Sequence, residues 1–129
     1  MSQENVETVR RIHESWQRRE FDQALRAFDP DVVWTTSETG EFHGHDGVKA
    51  SLRSWVGTFD DYRYEVVDVI DVDDERVFVI GRQSGKGRGS GAPVASDNFT
   101  VWTLRGGKVV ELAMFQHRHE ALEAAGLKE

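Results

Sequence analysis

Residues 97–127, DNFTVWTLRGGKVVELAMFQHRHEALEAAGL, leave the chain few ways to fold. Two long runs rich in β-branched and apolar side chains flank Gly106-Gly107, and an Ala/Leu-rich segment follows. That order predicts a strand, a tight turn, a second strand and a short closing helix. Charge parity sharpens the reading. Arg105 and Glu111 fall at odd positions, whereas Trp102, Leu104, Val110, Leu112, Met114 and Gln116 fall at even ones. A slip of one residue would turn the whole set over, so the even positions of both strands are expected to face inward. A plain two-residue turn at Gly106-Gly107 would set Leu104 opposite Val109 and mix the parities. The expected remedy is a type I turn with Gly107 as a left-handed bulge residue. Phe99, Val101, Ala113 and Phe115 then form an apolar outer stripe, and a homodimer through that stripe is expected.

Upstream, Val6, Val9, Ile12 and Trp16 recur at helical spacing. Asp22 is expected to cap a second, short helix holding Ala24, Leu25 and Phe28, which Asp29-Pro30 stops. Asp31 to Thr36 reads as a strand and Glu41 to His43 as a short partner after a turn at Thr39-Gly40. Asp46 should cap a third helix with Val48, Leu52, Trp55, Val56 and Phe59 on one face. Tyr62 to Val72, Arg76 to Ser84, Pro93 to Leu104 and Lys108 to Gln116 complete the strands, with Gly85 to Gly91 as a strand end carrying a loop or bulge. The segregation of helices from strands predicts an α+β domain with an antiparallel sheet. The expected form is a strongly bent, cone-shaped sheet, with three N-terminal-half helices on its concave side and a short C-terminal helix. The 129 residues suffice for a single domain with a core of its own.

Composition removes several functions. A net charge of -7 argues against nucleic acid, whose recognition needs clustered Lys and Arg. With no cysteine there is no disulfide, thiol nucleophile or thiolate metal site. The start MSQENVETVRR lacks the apolar stretch of a signal peptide, and no apolar run spans a bilayer, so no membrane association and a cytoplasmic setting are expected.

The segments FDQALRAFDPDVVW, FHGHDGVKASLRSW, RVFVIGRQSGKGRGSG, FTVWTLRGGKVVELAMF and EALEAAGL together resemble the SnoaL-like proteins of the nuclear transport factor 2-like superfamily. The resemblance covers nearly the whole chain in order. It implies the cone fold, but the superfamily spans isomerases, cyclases, dehydratases, epoxide hydrolases and binding modules, so function rests on the site. It also implies positions for acid/base groups. The Asp of SnoaL-type cyclases falls at Met114, their His at Thr100, and the proton-shuttling Asp of ketosteroid isomerases near Thr36. A thioether and two hydroxyls do not move protons at neutral pH, so both activities are expected to be absent.

The candidate pocket lining consists of Trp16, Trp34 and Trp55 as aromatic walls, with Asn98, Thr100, Trp102, Met114 and Gln116 from the last two strands. Packing in the core is the competing reading for the three tryptophans. The mixture suits a small, mostly apolar, neutral molecule with one or two hydrogen-bonding groups, bound in preference to anionic analogues. No cofactor is expected. An enzyme acting on such a molecule through unidentified acid/base residues is the alternative. Arg82 would bind an anionic group if inward and is simply solvated if outward. His43/His45 and His117/His119 are two His-x-His pairs, but neither has a carboxylate placed as a third ligand, so surface roles are favoured over metal. His117 could also act as a base at the pocket mouth. Glu38 and Glu41 lie near the expected mouth, where solvated loop residues are the commoner case.

Overall fold

The structure, a computed structural model, describes residues 2–36, 40–57 and 59–127, with the side chains of Ser2 and Trp55 outside the described set. Helix α1 (Ser2–Gln17) forms on the expected apolar spacing, and Val9 and Ile12 are its most deeply buried members. A short helix α2 (Phe21–Ala24) runs into a single 3-10 turn (Leu25–Ala27) and then into strand β1 (Phe28–Thr36). The predicted second helix therefore ends earlier than its spacing suggested: Phe28 is already extended (φ -103°, ψ 136°). Pro30 does not precede the strand but sits within it. It lies between Phe28 and Val33, where the pairing with the neighbouring strand is interrupted, so its missing N–H costs no ladder bond.

Strand β2 (Gly40–His43) pairs with β1, and helix α3 (Gly44–Val56) follows at once. Strands β3 (Phe59–Asp71), β4 (Arg76–Gly87), β5 (Pro93–Arg105) and β6 (Lys108–Phe115) complete a curled, unclosed sheet in the order β2-β1-β6-β5-β4-β3. The sheet is mixed rather than wholly antiparallel. The chain leaves β1, travels through β2 to β5, and returns with β6 alongside β1 in parallel. The curl lets α3 touch β1 and β2 at one edge and β3 at the other, while α1 lies across β3 and β4.

The β5–β6 hairpin reaches the expected parity by another route. Leu104 does pair with Val109 and Arg105 with Lys108, across a two-residue turn in which both Gly106 (φ 58°) and Gly107 (φ 78°) are left-handed. The bulge sits one step further in, where Val110 is the extra residue between Leu104↔Val109 and Thr103↔Glu111. Beyond it Trp102 faces Leu112 and Thr100 faces Met114, even against even.

The outer stripe is covered within the chain. Helix α4 (Arg118–Ala125) lays Ala121, Leu122 and Ala125 over Phe78, Phe99 and Val101, with Ile80 and Phe115 half-buried beside them. Gly126, left-handed at φ 76°, ends the helix. The stripe assigned to a dimer contact is thus largely satisfied by α4, whose alternating Ala and Leu were read as a closing helix but not placed on that face.

Candidate functional site

A cavity of about 380 Å³ lies between the concave face of the sheet and helices α1 and α3. Its aromatic end is built around Trp16 of α1, whose ring lies 6.0 Å from Trp34 and 5.7 Å from Trp102. Trp34 and Trp102 are buried because β1 and β5 turn their inner faces to the helices. Of the sequence-derived lining, Trp16, Trp34, Asn98, Thr100, Trp102, Met114 and Gln116 all border this cavity. The eighth, Trp55, belongs to α3, but its side chain lies outside the described residues. Gln116 is exposed, just past the end of β6, so it stands at the mouth rather than in the interior.

The positions implied for family acid/base groups are also brought together. Thr36 pairs with Met114 across the parallel ladder, and Met114 pairs with Thr100 across the antiparallel one. All three side chains line the cavity, and Thr100 Oγ accepts the indole N–H of Trp102 at 2.8 Å.

A fully buried titratable group of the interior is His13, which the sequence reading passed over. It is 3% exposed and lines the cavity from α1. Its ring stacks on Tyr64 and meets Trp16 and Trp102 edge-on, each with centroids 5.3 Å apart. Neither ring nitrogen has a hydrogen-bond partner among the described residues, and neither do the indole nitrogens of Trp16 and Trp34. Burial alone drives the His13 pKa down from 6.5 to about 4, so the imidazole is neutral at physiological pH. The signal was available: His13 follows Val9 by four residues and precedes Trp16 by three, on the buried side of α1.

A polar strip runs along β3, β4 and β5. Tyr64 donates its hydroxyl to Asn98 Oδ1 at 3.2 Å, and Tyr62 donates to Gln83 Oε1 at 3.3 Å. Gln83 in turn donates to Ser96 Oγ at 3.0 Å. Gly81, between Val66 and Asn98 in the sheet, makes this possible, since a Cβ there would run into the Tyr64 ring. Burial first, and the neighbouring Tyr62 second, push the Tyr64 hydroxyl well above the usual phenol range, so it stays a donor. With its Oδ1 engaged, the Asn98 amide nitrogen has no hydrogen-bond partner among the described residues and remains a donor at the cavity wall.

At the mouth the lining changes character. Arg19 and Arg63 border the cavity there with Gln17, and no Asp or Glu lines it among the described residues. Gln17 Nε2 donates to the Tyr64 carbonyl at 3.1 Å and Arg19 Nη2 to the Tyr62 carbonyl at 2.9 Å, which pins the end of α1 to β3. Sequence reasoning missed both arginines, because neither lies on a parity-assigned strand face or an apolar helix stripe.

The remaining candidates lie elsewhere. Arg82 points outward and pairs with Asp97 at 3.3 Å. His43 pairs with Glu41 on the surface at 3.4 Å, while His45 Nε2 meets the Phe28 carbonyl at 2.8 Å from the start of α3. The strand–helix boundary at Gly44 thus splits that pair. His117 precedes α4 and is exposed, and His119 pairs with Glu123 at 3.2 Å. His117 does not border the cavity. No group of three potential metal ligands is assembled among the described residues. Glu38 and Thr39 lie outside the described residues.

Solved structures share this architecture. A nuclear transport factor 2-like protein of unknown function from Burkholderia pseudomallei is 27% identical, over 93% of this chain and 95% of that one, with a TM-score of 0.80. A nuclear transport factor 2-like protein from Burkholderia thailandensis is 21% identical, over 95% and 97%, with a TM-score of 0.79. TerC, co-crystallised with polyporic acid, is 22% identical, over 95% and 98%, with a TM-score of 0.78. No curated protein sequence matches the chain. The model of the SnoaL-like domain matches residues 9–112, most of the length, from within α1 to the middle of β6, and the chain belongs to that family.

Proposed function

We propose that the cavity binds a compact, mostly apolar molecule that presents a hydrogen-bond acceptor to the cavity wall at Asn98. The observation that carries this reading is the lining itself: Trp16, Trp34 and Trp102 wall one end of the cavity, and the Asn98 amide nitrogen, with no hydrogen-bond partner among the described residues, is a donor at its wall. A volume of about 380 Å³ suits a ring system of roughly 10–20 heavy atoms. The co-crystallisation of TerC with polyporic acid supports small-molecule binding as one use of this fold. Titration with ring ketones, followed by quenching of Trp fluorescence, tests the reading. Trp34→Ala is expected to weaken binding by about 1–3 kcal/mol, the usual scale for a large buried aromatic contact. Unchanged affinity in that variant would remove the cavity from consideration.

An enzyme acting on a small apolar substrate, as isomerase, cyclase, dehydratase or hydrolase, is the second reading. His13 favours it, as a neutral imidazole at the cavity wall able to accept a proton. A homodimer and a cytoplasmic setting also belong to the proposal. Among the described residues no helix is long and apolar enough to cross a membrane.

A further inference from the structure

We propose that the molecule held in this cavity is amphipathic and anionic: an apolar ring body at the tryptophan end, and one acidic group, a carboxylate or its chemical equivalent, received at the mouth by Arg19 and Arg63. This rests on the cavity being a binding site and specifies what it takes.

The distribution of charge is the first ground. The chain carries 23 acidic against 16 basic residues, yet the described cavity lining holds two arginines and no carboxylate. An acidic protein that keeps its acids out of one cavity has made that cavity a place for negative charge. The state of the arginines is the second. Arg18, Arg76, Arg82, Arg88 and Arg105 each sit within ion-pair distance of a carboxylate. Arg63 has no such partner among the described residues; Arg10, Arg11, Arg26, Arg53 and Arg118 share that state, but of these six only Arg63 borders the cavity.

Arg19 supplies the third ground. It is one of only two described non-glycine residues with positive φ, at 62°, a conformation that costs an L-residue free energy. The other is Asp61, next to Tyr62. Both unusual turns therefore bracket the mouth. Arg19 lies over β3, where Nη2 donates to the Tyr62 carbonyl, and its other N–H groups make no hydrogen bond among the described residues. Arg63 follows Tyr62 along β3, and both arginines border the cavity. Neutral Asn98 and Gln116 alone led to the expectation that neutral molecules bind better than anions. The arginines reverse that expectation.

Two fluorescent probes with the same ring body separate the alternatives: anilinonaphthalene sulfonate, which is an anion, and uncharged N-phenylnaphthylamine. The sulfonate is expected to bind about three- to tenfold more tightly than the amine at low salt, with the advantage shrinking as salt rises. Arg63→Gln and Arg19→Gln are each expected to lower that ratio, and the double variant to bring it close to one. Both side chains are exposed, so thermal unfolding of the variants checks that the fold is intact. Equal binding of the two probes, tighter binding of the amine, or a sulfonate preference that survives in the double variant would overturn the proposal. Binding of both probes that Trp34→Ala leaves untouched, or of neither, would instead overturn the cavity reading beneath it.

Discussion

The imidazole of His13 lies flat against the phenol of Tyr64, with centroids 5.3 Å apart and planes 3° from parallel. This stack joins α1 to β3 and closes one side of the cavity with two polar rings whose charged forms are both disfavoured by burial. It has a consequence for stability. The folded chain keeps His13 neutral down to about pH 4, whereas the unfolded chain takes up that proton near pH 6.5. The contribution is fully present above pH 6.5 and is lost as pH falls toward 4. A shift of this size corresponds to about 3 kcal/mol between the two limits. Urea unfolding at about pH 7 and about pH 5 should show a steeper acid loss in the native chain than in His13→Phe. Equal slopes would mean that the imidazole is not held neutral.

Gly81 is predicted to tolerate no side chain while Tyr64 is in place. The added Cβ would meet the phenol ring and its hydroxyl, forcing the ring off Gly81 and breaking its bond to Asn98. Gly81→Ala should cost about 1–3 kcal/mol, as overpacking of a close contact usually does. The cost should fall sharply in a Tyr64→Ala background, because the clash and its partner are then removed together. Chemical denaturation of the four members of this cycle measures the coupling, and additive effects would contradict the contact.

Much of the architecture was legible because it rests on periodicity. Parity in β5 and β6 placed Asn98, Thr100, Trp102, Met114 and Gln116 on the cavity side, and helical spacing placed Trp16 there. What escaped depends on long-range or non-periodic features. The parallel β1–β6 pairing is a matter of where the chain returns, to which strand patterns are blind. The Phe28 boundary shifted because tertiary pairing with Val109 outweighed local helical spacing. His13 was overlooked because the search for histidines followed His-x-His pairs, and it is the one histidine outside them. Arg19 and Arg63 reach the mouth from a left-handed turn and an irregular strand start, neither of which carries a spacing signal.

Association has to use what α4 leaves open. Phe115 and Ile80 are half-buried at the border of the covered stripe, and a homodimer would place them at its contact. Light scattering at micromolar concentration is expected to give a dimer, and Phe115→Glu a monomer, since a buried carboxylate without a partner is strongly unfavourable. A chain ending before Arg118 should associate far more strongly, because Phe78, Phe99 and Val101 lose their cover. A monomeric full-length chain would leave α4 as the sole occupant of that face.

Steroid isomerisation and polyketide ring closure are expected to be absent or very weak. Thr36, Met114 and Thr100 stand side by side on three neighbouring strands at the cavity wall, where the resemblance places carboxylates and an imidazole. None of them exchanges a proton near neutral pH. His13 is the one imidazole lining the cavity, and desolvation to a pKa of about 4 makes it a weak base. Assays with a ketosteroid bearing a β,γ double bond and with an anthracycline precursor ester should give no more product than heat-killed protein. Turnover that disappears in His13→Phe would assign the proton transfer to that imidazole and favour the enzymatic reading. Turnover that survives the substitution would mean that a group outside the described lining moves the proton.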